Sequence, residues 1–245
     1  MAGVNRAWGV AALALLLAGP TDADADAPVV NALSAAEAKA GWKLLFDGQS
    51  TRGWRGYQQK TAPAAWRVKD GALALEKPAG AAGGEDLVTR ESYASFELQL
   101  EWRISSGGNS GVIYHVQEGE DAPWKTGPEM QVLDNTKHHD GKDPLTAAGS
   151  CFALYPAAKD VTKPVGQWNQ ARLVVAGAHV EHWLNGEKLL SYEAGSRDWN
   201  QRVAASKFKE YASFGKAPRG LIDLQDHGDP VAFRNIKLRV IEPAK

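Results

Sequence analysis

Along "FELQLEWRI", Phe96, Leu98, Leu100, Trp102 and Ile104 alternate with Glu97, Gln99, Glu101 and Arg103. An apolar residue at every second position is the period of a strand with one buried face, so a strand is expected over 96–104. Similar signals recur. "WKLLF" is a short apolar run before the turn pair Asp47-Gly48, and "WRVKDGALALE" reads as two strands joined at Asp70-Gly71. "SSGGNSG" reads as a turn, with strands in "VIYHV" and "EMQVL" after it. Three more fill "ARLVVAGAHVEHWLNGEKLLSYE", with Ala176-Gly177 and Asn185-Gly186 marking the turns. "GLIDLQDHGDPVAFRNIKLRVI" gives two strands around "DHGDP", the second alternating Ala232, Arg234, Ile236, Leu238 and Val240 against Phe233, Asn235, Lys237 and Arg239.

Two segments carry other periods. "SAAEAKAG" opens at Ser34 with Glu37 placed for a capping box, which predicts a short helix. Between Ser196 and Tyr211 the alternation is lost, and Val203, Lys207 and Tyr211 are spaced four apart, which predicts one short helix near 200–212. About ten to twelve strands, with turn signals between them and no strand–helix alternation, predict an all-β antiparallel sandwich or jelly roll. No internal repeat is visible, which disfavours a propeller or solenoid.

Composition narrows the class. A formal net charge of -1 with no basic block gives a nucleic-acid partner nothing to hold electrostatically. The 9 Trp and 25 Gly suit a turn-rich β fold and surfaces that stack on flat apolar faces such as sugar rings. "MAGVNRAWGVAALALLLAGP" has Arg6, an apolar run and then A-x-A positions at Ala23–Ala25, the pattern of a signal peptide over 1–25. The run is short for a membrane span, so the mature chain is expected without one, periplasmic or secreted. Residues 26–40 read as a linker, and 41–242 as one domain. Cys151 is the single cysteine, so an exported chain must stabilise itself by its core; in "GSCFALY" it reads as a small buried apolar residue.

Site chemistry concentrates in three places. In "GPEMQVLDN", Glu129 and Gln131 share a strand face. A bulge after Gln131 would turn Asp134 onto that face; otherwise the strand ends and Asp134 begins the loop. Two carboxyls and an amide on one concave face suit glycoside chemistry, the alternative being a solvated outer face. In "LQDHGDP", His227 sits in a turn between strands and can move protons near neutral pH. The other reading makes Asp226 and Asp229 turn formers with His227 exposed. In "GNSGVIYH", Asn109 and Ser110 can bond sugar hydroxyls with Tyr114 or Trp102 stacking; alternation places Trp102 in the core instead. "HHD" at 138–140 matches no common zinc or calcium spacing and reads as a polar loop, so no metal ligand is assigned.

Taken together, "GWKLLFDGQSTRGW", "WRVKDGAL", "FELQLEWRIS", "GNSGVIY", "PEMQVLD", "HVEHWLNG", "SKF" and "GLIDLQDHGDPVAFRNIKLR" resemble, in order, the 3-keto-disaccharide hydrolase family over about residues 40–241. The resemblance implies a concanavalin-like jelly roll akin to the laminarinase-type β-glucanases, whose E-x-D-x-x-E strand would correspond to Glu129-x-Gln131-x-x-Asp134. Gln for the middle acid and Asp for the last depart from double-displacement chemistry. It also implies hydrolysis of glycosides already oxidised to a ketone at C3. On that implication Glu129 is the base or acid, His227 its partner or the enolate stabiliser, and Asp134 a tuning carboxyl. Gln131, Asn109, Tyr114, Lys207, Gln225 and Asp226 would bind substrate. No cofactor is required, and a divalent cation is allowed as enolate stabiliser. The competing classes are a non-catalytic carbohydrate-binding jelly roll and an ordinary endo-β-glucanase.

Overall fold

The computed structural model describes residues 29–242 except 79, with isolated positions 1 and 3; the signal peptide read over 1–25 lies outside the described stretch. Thirteen strands are formed among the described residues. In chain order they are β1 (Lys43–Leu44), β2 (Trp54–Gly56), β3 (Trp66–Lys69), β4 (Ala72–Leu75), β5 (Leu87–Thr89), β6 (Phe96–Ile104) and β7 (Asn109–Val116). Next come β8 (Glu129–Leu133), β9 (Asn169–Ala176), β10 (His179–Leu184), β11 (Glu187–Glu193), β12 (Leu221–Leu224) and β13 (Val231–Val240). One sheet runs β11-β10-β9-β6-β13-β4-β3 with β1 added against β13, and the second runs β2-β5-β12-β7-β8. The two sheets, antiparallel throughout, pack face to face as a jelly roll.

Between them lies the main core. The apolar row of β6 meets Val112 and Tyr114 of β7, Met130 and Val132 of β8, and Ile222 and Leu224 of β12. Each large side chain withdrawn from water contributes about 1.5–3 kcal/mol, which is how a fold with one free cysteine holds itself. Cys151 is indeed buried. Hairpin turns follow their dipeptides. Asp70 and Gly71 have φ of 49° and 69°, Asn185 and Gly186 of 49° and 85°, the left-handed pair of a type I′ turn. The first helix, α1 (Ala35–Lys39), carries the full Ser34–Glu37 capping box.

Three local readings differ. Pairing of β7 begins at Asn109, so "NSG" belongs to the strand and not to the turn. In β13 the register with β6 shifts between Arg234 and Lys237, and Asn235 takes φ 51°. That bulge reverses the phase, so Phe233, Ile236 and Leu238 all face the core. The second helix, α2 (Arg197–Ala205), stops at Ser206, whose extended backbone (ψ 177°) breaks it. Ser206 then caps a 3-10 turn, Lys207–Glu210, through a bond from the Phe208 N–H. Val203, Lys207 and Tyr211 therefore do not form one helical stripe.

Candidate active site

On β8, Met130 and Val132 face the core, so Glu129 and Gln131 point off the opposite, outer face of the five-stranded sheet. Pairing with β7 is unbroken and sets Gly111 opposite Gln131 and Ile113 opposite Glu129. On β12, Ile222 and Leu224 face inward, leaving Asp223 and Gln225 on the same outer face. Asp223 is registered with Ile113 on one side and Val88 on the other. One row across the sheet thus reads Val88, Asp223, Ile113, Glu129, and the next contains Gln225, Gly111 and Gln131. The row has an apolar floor, since Ile113 and Val88 pack with Tyr57, Val116 and Leu221, flanked by Trp124.

Gly111 is there because Glu129 lies over it. A Cβ at that position would sit 2.3 Å from Glu129 Oε1. Glu129 is 8% exposed, and this burial raises its pKa to about 8. The Lys207 ammonium opposes the rise, while Asp86 and Asp140 add to it. Asp86, one residue ahead of β5, is held by burial at about 7. Asp223 is 0% exposed, neither of its oxygens has a partner, and burial followed by the charges of Asp86, Glu129 and Asp226 pushes its pKa well up. A carboxyl in such surroundings keeps its proton. The amide oxygens of Asn109, Gln131 and Gln225 are also buried and unpaired. Buried polar atoms are normally satisfied, so this many orphans on one sheet face mark a place built for a ligand.

Lys207 is exposed as a residue, yet its ammonium lies 4.7 Å from the Trp124 ring centroid and 4.6 Å from that of Phe152. Desolvation there lowers its pKa, against the pull of Glu129 and Asp140. The break at Ser206 aims this lysine at the site, so the "SKF" element delivers the cation that acts on Glu129.

The other expected residues fall elsewhere. No bulge follows Gln131, and Asp134 starts the loop: Oδ2 accepts from the Gly107 N–H at 2.7 Å, and Oδ1 from the Thr136 N–H at 2.9 Å and hydroxyl at 2.6 Å. Burial works against ionisation of Asp134, but these bonds win and its pKa falls. It organises a loop and does not join Glu129. Asp226 is likewise occupied, pairing with Lys77 and accepting from Glu85 N–H at 2.9 Å and Gly228 N–H at 2.9 Å. Asp229 accepts from the Asn109 and Gly80 N–H groups, so the "QDHGD" turn ties three chain segments together. His227 is exposed at its tip, and its electrostatic neighbour is His138. Tyr114 faces the core, bonded to Tyr192, which corrects its assignment as a sugar platform. His182 is a buried core histidine whose Nδ1 lies 3.1 Å from the Gly149 carbonyl oxygen.

Asp223 and Asp86 escaped the sequence reading. The signal for Asp223 was present: in "LIDLQ" it alternates onto the face of Gln225. Asp86 ends a glycine-rich loop and carries no pattern. A cavity of about 660 Å³ opens near Trp199, Phe208 and Phe214, but no carboxylate lines it. The chemistry therefore belongs to the polar sheet face.

A jelly roll with buried carboxyls and orphaned amides across one sheet can hold a polar ligand beside acid–base groups, and comparisons with known proteins give its class. Residues 41–239 match the 3-keto-alpha-glucoside-1,2-lyase-like domain family, and the chain belongs to that family. It is 36% identical over 232 residues to a 3-keto-disaccharide hydrolase of Bacteroides thetaiotaomicron, covering 82% of this chain and 79% of that protein. The crystal structure of a candidate glycosyl hydrolase from Parabacteroides distasonis superimposes with a TM-score of 0.80 at 34% identity, covering 87% of this chain and 100% of the other. A second from the same organism gives 0.64 at 26%, covering 82% and 99%. The protein is a glycoside hydrolase.

Proposed function

We propose that this enzyme hydrolyses 3-keto-glucosides or 3-keto-disaccharides by elimination followed by addition of water, with Glu129 as the base. The observation that carries the reading is the buried Glu129 carboxyl over Gly111, its pKa raised to about 8. A ketone at C3 acidifies the C2 hydrogen, and a carboxylate of raised pKa is a stronger base for it than an ordinary one. Glu129 takes that proton and the electron pair forms an enolate on the C3 oxygen. The enolate collapses, the C1–O bond breaks, and the leaving oxygen takes a proton from a neutral acid. Water then adds its hydroxyl at C1 and a proton returns to C2, so the net change is hydrolysis. The related names "lyase-like" and "hydrolase" match the first step and the net outcome of such a sequence.

Lys207 takes the enolate-stabilising role that the sequence reading gave to His227, because its ammonium is the cation acting on Glu129. Asp223, whose pKa burial pushes well up, supplies the neutral acid, and Asp86, raised to about 7, couples to both. Asn109, Gln131 and Gln225 bind sugar hydroxyls through their unpaired amides. Asp134, which a glucanase-like double displacement on β8 would use, spends both oxygens on its loop. We further read the chain as exported, on the signal pattern over 1–25, with 41–242 as the catalytic domain; N-terminal sequencing of the mature protein tests the cleavage.

The decisive assay offers the purified enzyme a 3-keto-glucoside with a chromogenic leaving group beside its unoxidised parent. Release from the keto form alone, lost by about 10²–10⁴-fold in Glu129→Gln, is the expected result. Release from the parent sugar, or full activity in Glu129→Gln, overturns it.

A further inference from the structure

We propose that His138, His139 and Asp140 form a binding site for a divalent transition metal beside the polar sheet face. Among the described residues these are the ones whose ligand-type atoms gather, one from each residue, all within 4.8 Å of one another. His139 Nε2 lies 3.3 Å from Asp140 Oδ1, and His138 Nδ1 lies 3.7 Å from Asp140 Oδ2. Ligands bound at about 2.0–2.2 Å to one ion stand roughly this far apart. The imidazole rings lie together, centroids 4.3 Å apart and tilted by 31°.

The segment is tied down. The Asp140 N–H donates to His138 Nδ1 at 3.2 Å, and the Thr146 hydroxyl donates to the Asp140 carbonyl at 2.7 Å. Gly141 passes so close to Asn135 that a Cβ would meet its backbone at 2.3 Å. The Asp140 N–H occupies the His138 Nδ1 lone pair, so an ion bound at this atom displaces that donor. His139 is exposed, with 82% of its side chain accessible, and closes on the ion from the solvent side. Two imidazoles and one carboxylate select borderline ions such as manganese, iron, cobalt or zinc over calcium or magnesium, and leave coordination positions open.

Position gives the site a use. Asp140 acts electrostatically on both Glu129 and Lys207, and His138 is acted on by His227 and Asp229. The ion would sit within electrostatic reach of the reactive carboxyl, where paired oxygens of a bound sugar complete its shell. Only this last point rests on the keto-sugar reading; metal binding itself does not.

The test uses untagged protein, treated with chelator and then titrated separately with Mn²⁺ and Zn²⁺ by calorimetry, with metal content counted after dialysis. One ion per chain is expected, and His138→Ala and Asp140→Asn should each weaken binding about tenfold or more while melting as the parent does. His179→Ala is the control, since His179 meets Glu193 and Glu181 on the other sheet. Asp140→Asn preserves shape, so it stands if His138→Ala fails to fold. No saturable binding to folded protein, or binding lost with His179 and kept in both cluster variants, overturns the site. Because the readout is binding, its failure is separable from failure of turnover on keto-sugars.

Discussion

Gly111→Ala isolates the geometry on which catalysis depends. The new Cβ would fall 2.3 Å from Glu129 Oε1 and 2.8 Å from both Cδ and Cγ, where ordinary contact begins near 3.4 Å. Glu129 is a side chain and Gly111 is not among the positive-φ glycines, so the backbone need not yield. The acid moves instead, by about 1 Å. A displacement of that size at a reacting group costs about 10²-fold in rate, or about 2.7 kcal/mol of barrier. Alanine is intrinsically better than glycine in a strand by about 0.5–1 kcal/mol, which offsets part of the repacking, so Tm should stay within about 4 °C of the parent. The assay is kcat on the keto-glucoside, with a thermal melt on the same sample. Shortening the acid by Glu129→Asp in the alanine background removes the Oε1 and Cδ contacts while keeping Cγ, so the two changes should be non-additive in a double-mutant cycle. Parent-level kcat in a folded Gly111→Ala enzyme would refute the placement of Glu129 as the base.

Three further outcomes are expected. Burial raises the Glu129 pKa from 4.5 to about 8, so its contribution to stability is full below the unfolded value and is lost as pH rises through the folded one. Glu129→Gln never ionises, so its Tm should match the parent below about pH 4.5 and exceed it above about pH 8; the loss it escapes is bounded at about 5 kcal/mol. Lys207→Met removes the charge that holds the Glu129 pKa down, so the rising limb of the pH–rate profile should move to higher pH as kcat falls; an unmoved limb would uncouple the two groups. Asp226→Asn leaves Lys77 with Glu85 alone and weakens the grip on the Glu85 N–H, costing up to about 3 kcal/mol, seen as a Tm several degrees lower by calorimetry.

Strand positions and turns were legible in the sequence because they depend on neighbours in the chain. Alternation located β6 to the residue, and Asn185-Gly186 and Asp70-Gly71 fixed their hairpins through φ alone. Glu129 and Gln131 could be assigned a shared face for the same reason. What lay beyond reach was anything set by a bulge or by another strand. The phase reversal at Asn235 arises in the pairing of β13 with β6, the break at Ser206 in the cap it forms for the next turn, and the inward face of Tyr114 in the core between the sheets. Whether Asp134 joined Glu129 or began the loop was open in the sequence, and the Gly107 N–H and Thr136 claim its oxygens for the loop. Asp223 stands more than ninety positions from Glu129 in the chain yet shares its row, because β12, β7 and β8 lie side by side. The sequence by itself determined the two-residue rhythm that makes this an all-β sandwich, since side-chain direction along a strand is local. Only the tertiary structure decided which carboxyls lose water together, because desolvation and charge coupling depend on which strands become neighbours.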